Sequence, residues 1–192
     1  MAEVWRGTWV VAYRELLRFV NERSRLVSSM AFPLIFLVIF GAGFGKIIGS
    51  LAPGIDYIKF MYPGIVAQSV LTSALFAGVS VVWDREYGFL REILVAPIAR
   101  SGIVLGKAVG ATVTALLQVL ILLVLTPIVG VSLNPGTVIA LIPVVAILAF
   151  GLSGLGILIA SFMTSQQGFQ FIIQLLIFPL IFLAGVFFPV NK

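Results

Sequence analysis

From Ala108 to Asn191 the chain carries no Lys, Arg, Asp, Glu or His. A soluble domain, with roughly 25% of its residues charged, has no place for so long an uncharged stretch. A bilayer does, because its core of about 30 Å takes helices of about 20 apolar residues. The rest of the chain agrees: 61% of its 192 residues are apolar, 10% are charged, and the mean hydropathy is +1.20. The fold class that follows is an all-α polytopic membrane protein.

Five candidate spans follow one another, at about 26–48, 60–83, 101–129, 137–162 and 169–188. Pro63-Gly64 opens the second, a first-turn position where proline is tolerated. Ser132-Leu133-Asn134-Pro135-Gly136 reads as a turn before the fourth. Residues 1–25 read as a helix lying in the membrane interface. Trp5, Trp9, Ala12, Tyr13, Leu16 and Val20 fall on one arc, and Glu3, Arg14, Glu15, Arg18, Glu22 and Arg25 on the other. The apolar arc would also suit a soluble partner. The mixed charge, the length and the lack of a small-x-small site argue against a cleavable signal peptide.

Orientation follows from the basic residues. Arg6, Arg14, Arg18, Arg23 and Arg25 precede the first span, and Arg85, Arg91, Arg100 and Lys107 flank or lie in the connector after the second. Only Lys46 and Lys59, beside Asp56, fall between spans one and two. The excess puts the N-terminus and the connector in the cytoplasm. Five spans then leave the C-terminus outside, just after Phe188-Pro189, so the sequence is expected to be C-terminally truncated. The net charge of +5 reads as topology signal and lipid-headgroup contact, with no nucleic-acid partner.

The usual chemistry is missing. The chain has no cysteine and no histidine, so thiolate and imidazole ligands, a thiol nucleophile and the common general base are all absent. No Lys, Asp or Glu lies deep within spans three to five to activate a serine or threonine. No catalytic residue, metal or cofactor is expected. Gly41–Lys46 and Gly102–Lys107 glance at a phosphate loop, but each has three residues between its glycines where four are needed. Neither Lys is followed by Ser or Thr.

Three features remain. The connector from Asp84 reads as a short amphipathic helix, with Tyr87, Leu90, Ile93 and Leu94 on one side. Asp84, Arg85, Arg91 and Glu92 fall on the other, facing water, with Gly88 among them. Pro97 ends the helix, and Ser101 can cap the next. A solvated loop obeying the positive-inside rule would look the same. Gly102, Gly106 and Gly110 repeat every four residues, a face that lets another helix approach. Gln68, Thr72 and Ser73 on the second span, with Gln170 and Gln174 on the fifth, could line a substrate route; hydrogen bonding between helices explains them equally.

The run Asp84-Arg85-Glu86, Gly88, Glu92, Pro97, Arg100 and Gly106-Lys107 resembles the signature of type-2 ATP-binding-cassette (ABC) exporter permeases. The similarity is to the daunorubicin-resistance-type permeases of bacteria and archaea. Tyr62-Pro63-Gly64 and Gly185-Val186-Phe187-Phe188-Pro189 fit the same pattern. The resemblance implies one six-span domain over 1–192, with the interfacial helix at 1–25, spans at 26–83 and 101–188, and the sixth span lacking. It implies a homo- or heterodimer with a second permease subunit around a central pathway, exporting a drug, lipid or glycan-lipid. It also implies a coupling helix at 84–100 that docks on a separate cytoplasmic ABC ATPase, through Asp84, Arg85, Glu86, Gly88, Arg91, Glu92, Pro97 and Arg100. An ATPase-independent membrane enzyme, an insertion factor or a structural anchor could use the same bundle.

Overall fold

The computed structural model describes residues 2–51, 57–88, 99–131 and 134–183, and no strand occurs among them. The helices are α1 (Ala2–Asn21), α2 (Arg23–Leu51), α3 (Tyr57–Leu75), α4 (Val79–Glu86), α5 (Arg100–Val124), α6 (Thr126–Val129), α7 (Pro135–Phe162) and α8 (Gln166–Leu183). A single 3₁₀ turn at Phe76–Gly78 joins α3 to α4, so the two form one helix from Tyr57 to Glu86 of 30 residues. At 1.5 Å per residue it is about 45 Å long, more than a bilayer core requires. Its last turns therefore reach the headgroup region.

Tyr57–Glu86, Arg100–Val124 and Pro135–Phe162 are long and apolar enough to cross a membrane. The first and fifth expected spans are represented, among the described residues, by the shorter apolar helices Val27–Gly41 and Gln166–Phe182. Pro33, Pro63, Pro143 and Pro179 all lie inside helices. The placing of Pro63 in a first turn is corrected, since its helix begins at Tyr57. Membrane helices tolerate such prolines because neighbouring helices hold the backbone.

Of the turn before the fourth span, Ser132 and Leu133 lie outside the described residues, and its two flanks are built as their residues demand. Gly130 adopts a left-handed φ of 75° behind α6. Asn134 then caps α7, its Oδ1 accepting from the Gly136 amide at 3.2 Å, with Pro135 in the first helical position.

Two apolar clusters hold the bundle. One joins α2, α3, α5 and α7 around Met61, Ile65, Val70, Ala115, Leu122 and Ala149. The other joins α3 and α4 to α7 and α8 around Leu75, Val82, Ala160, Phe169 and Ile173. Outside them the bundle exposes large apolar side chains, Ile139, Ile147, Phe162, Phe171, Leu175 and Phe178 among them, the surface a lipid solvent favours.

Helix α1 lies along α5. A methyl carbon at Gly106 would sit 2.6 Å from Val11 Cβ and 2.8 Å from the Thr8 carbonyl oxygen; at Gly110 it would meet Glu15 Cβ at 2.9 Å. At Gly102 it would come within 3.0 Å of the Val4 carbonyl. The three glycines thus form the face on which α1 rests. On the far side of α1, Trp5 is 74% and Trp9 68% exposed, with Tyr13, Leu17 and Val20 beside them.

Candidate functional site

The helix that contains Asp84 stops where the sequence suggested one would start. Tyr87 caps α4, its amide donating to the Trp83 carbonyl at 2.9 Å, and Gly88 turns left-handed at φ 76°. Such a glycine just past a helix end is the commonest stop. Asp84 therefore belongs to the last turns of the second span. The expectation that it faces water is corrected: it is 4% exposed. The next helix among the described residues opens at Arg100 behind Ala99, which makes no side-chain cap, in place of the cap expected at Ser101.

Asp84 is buried because Lys107 is buried with it. Lys107 Nζ donates to Asp84 Oδ2 at 2.6 Å and to Ser80 Oγ at 2.9 Å. Ser80 and Asp84, four residues apart, share one face of α4. Glu15 Oε1 lies 3.8 Å from Lys107 Nζ, and Arg14 reaches to 3.7 Å from Asp84 and 3.8 Å from Glu15. Two acids and two bases from α1, α4 and α5 thus meet at one end of the bundle. Gly106, against Thr8 and Val11, and Gly110, against Ala12 and Glu15, let α1 come close enough to bring Arg14 and Glu15 into the group. A charge in a membrane protein's interior needs such partners, since water is not there to solvate it.

The remaining residues expected at a docking face are divided. Arg85 Nη1 donates to the Met163 carbonyl at 2.9 Å, at the C-terminal cap of α7, where a cation also suits the helix dipole. Glu86, Gly88 and Arg100 are exposed. Arg91, Glu92 and Pro97 lie outside the described residues.

Polar side chains extend inward from the charge cluster along the second span. A cavity of about 550 Å³ is lined by Glu15, Arg18, Thr72, Ser73, Ser80, Trp83, Asp84 and Lys107, among others. A second, of about 290 Å³, is lined by Ser29, Phe32, Phe36, Gln68, Thr72, Ser73 and Gln118. Between them stands a bridge that sequence reasoning missed. Gln118 of α5, 4% exposed, accepts from Ser73 Oγ and donates from Nε2 to the Ser29 carbonyl at 3.0 Å. The structure brings Gln68, Thr72 and Ser73 to this groove. Gln170 and Gln174, on α8, line neither cavity.

Gln118 and the need of Lys107 for a partner were legible in part. Gln118 is the one amide side chain between Ala108 and Gln166 apart from Asn134, and a lone amide inside an apolar span calls for a partner helix. Lys107 called for an acid on the same ground. That the acid would be Asp84, with Glu15 beside it, follows only from helix packing.

A family model described as ABC-2 type transporter matches residues 6–192. Nodulation protein J of Rhizobium leguminosarum bv. trifolii is 29% identical over 191 residues, 98% of this chain and 70% of its own length. Nodulation protein J of Rhizobium meliloti matches at 29% over the same shares of each. The ycf38 protein of Cyanophora paradoxa, whose name describes a transport permease, is 28% identical over 188 residues, 95% of this chain. This chain spans 64% of that relative's length. No solved structure matches the chain significantly.

Proposed function

This chain belongs to the ABC-2 type transporter family, and we propose that it is the membrane-spanning permease subunit of an ATP-driven exporter. On this reading it carries no chemistry of its own and moves a hydrophobic or amphipathic substrate outward. It pairs with a second permease subunit in the plasma membrane of a bacterium or archaeon, its N-terminus cytoplasmic. A separate ABC ATPase grips the connector at 84–100. The run Asp84-Arg85-Glu86-x-Gly88 favours the daunorubicin-resistance-type branch.

One observation carries the coupling. The two spans that flank the connector are tied to each other by the buried Lys107–Asp84 pair, 2.6 Å apart, and to α1 by Arg14 and Glu15 beside that pair. A push on the connector would therefore reach the second span, the third span and α1 together. Glu86, exposed two residues beyond Asp84, with Arg91 and Glu92, offers the ATPase its charged contacts. Rocking of the bundle under ATP closure would open a route past Gln68, Thr72 and Ser73.

The test is co-purification of the ATPase with tagged permease, wild type against Glu86→Lys. The variant is expected to lose most of the bound ATPase while the permease stays folded. Undiminished capture together with normal substrate-stimulated hydrolysis would sink the docking role.

A further inference from the structure

The two cavities share Ser29, Thr72 and Ser73, so they adjoin beside the Ser73–Gln118–Ser29 bridge as one groove with unlike ends. The wider end bears charges of both signs, Glu15, Glu22 and Asp84 against Arg18 and Lys107. The narrower end is walled by Phe32, Pro33, Phe36 and Ile65. A head that carries both charges and an apolar chain fit such a groove; a head of one net sign meets repulsion from part of its lining.

Two polar atoms on the wider end narrow the choice. Glu15 Oε1 and Trp83 Nε1 are buried, with no hydrogen-bond partner among the described residues. Glu15 Oε1 stands 3.8 Å from both Lys107 and Arg14, too far for either to donate. Lys107 is already bonded to Asp84 and Ser80. The carboxylate thus wants a donor and the indole N–H an acceptor, and buried groups of this kind are nearly always satisfied by something. Their depth is also informative. Glu15 sits on α1, whose exposed Trp5, Trp9 and Tyr13 are the residues that mark headgroup level.

We propose that the groove is a binding site for a zwitterionic phospholipid with a primary ammonium head, of the ethanolamine type. The ammonium donates to Glu15 Oε1. The phosphate accepts from Trp83 Nε1 and faces Arg18. One acyl chain follows the second span past Thr72 to the wall of Phe32 and Phe36. A trimethylated choline head has no N–H to give Glu15, and a glycerol head leaves the phosphate charge without its own counter-ion. The site requires only that the chain sit in a bilayer, so it stands apart from the export reading.

The test is native mass spectrometry of the purified full chain, offered equal amounts of phosphatidylethanolamine, phosphatidylcholine and phosphatidylglycerol. A charge-assisted hydrogen bond made by one head alone predicts a preference of about tenfold for ethanolamine. Trp83→Phe keeps the ring and removes the N–H; Glu15→Gln keeps the shape and removes the charge. Trp83→Phe should lower ethanolamine retention about fivefold without altering the melting temperature of lipid-stripped protein, and Glu15→Gln should abolish the preference over choline. Equal retention of the three lipids, or a Trp83→Phe protein that binds as wild type does, overturns the site and assigns the two atoms to water. With the ATPase assembled, loss of the bound lipid during ATP turnover would identify it as cargo and persistence as a resident lipid; either keeps the headgroup assignment. A negative lipid result with intact ATPase capture leaves the export reading standing.

Discussion

The second span, Tyr57–Glu86, holds its neighbours on two sides by different means. Toward α5 and α1, polar contacts are added to the shared apolar cluster: Lys107 with Asp84 and Ser80, Gln118 with Ser73, and the Tyr62 hydroxyl donating to the Leu122 carbonyl. Toward α7 and α8 they are almost bare of polarity. There the backbone itself makes the fit, since a methyl carbon built at Gly156 would overlap the Leu75 carbonyl oxygen, and one at Gly78 the Gly156 carbonyl. Phe169 and Ile173, both fully buried, fill in beside them. In lipid no hydrophobic force drives helix to helix, so association rests on hydrogen bonds or on close van der Waals packing. This span combines the two toward α5 and relies almost wholly on packing toward α7 and α8.

The two modes should fail differently. On the polar side, Lys107→Met leaves Asp84 buried beside an apolar chain, with only Arg14, 3.7 Å away, to offset it. Removing one member of a buried pair costs about 3–5 kcal/mol, mostly the stranded charge. Lys107→Met paired with Asp84→Leu removes both charges and is expected to recover most of that loss in a detergent melt. If the double variant were no better than the single, the pair would not be the connection between the two span ends.

On the apolar side, Gly156→Ala has no flexible neighbour to yield, because the obstacle is main chain. Overpacking of this kind costs about 1–3 kcal/mol. Gly151 and Gly154, on the same helix, have nothing within 4 Å of an added carbon, so alanine there should be neutral or raise stability by up to about 1 kcal/mol through helix propensity. Equal effects at Gly156 and Gly154 would mean that the close approach is not what joins the second span to α7.

The contrast also explains what could be read from the chain alone. The spans follow from length and hydropathy. The spacing of Gly102, Gly106 and Gly110 marks a close helix contact, though not which helix fills it. Gly88 was read as one more residue on the polar face of a helix beginning at Asp84, whereas it turns left-handed where a helix ends; helical periodicity through Asp84, Arg85, Arg91 and Glu92 misplaced that boundary because period alone cannot tell the end of one helix from the start of the next. The charge cluster and the Gln118 bridge were hidden for a different reason: each joins residues distant in sequence (Glu15, Asp84 and Lys107 in one, Ser29, Ser73 and Gln118 in the other), and pairing across helices is decided by packing. The separation of Gln170 and Gln174 from Gln68, Thr72 and Ser73 arises in the same way, since both sets have the composition of a pathway and only one faces a groove.

The finest test of the comparison is Gln118→Leu. It removes a bridge from α5 to two helices while keeping an apolar side chain of similar length. Interhelical hydrogen bonds in membranes average only about 0.6 kcal/mol, because the opened state finds other partners for the freed groups. A thermal melt should therefore move little, far less than for Lys107→Met. What should move is the groove. With Gln118 gone, nothing ties Ser73 to the Ser29 carbonyl across the boundary of the two cavities, and a cysteine placed at Thr72 should react faster with a small water-soluble thiol reagent. A large melt shift with unchanged reactivity would make Gln118 a structural bond of the same kind as Lys107–Asp84. A small shift with faster reactivity would show that the polar side contains two kinds of contact, one that fixes the span ends and one that divides the groove.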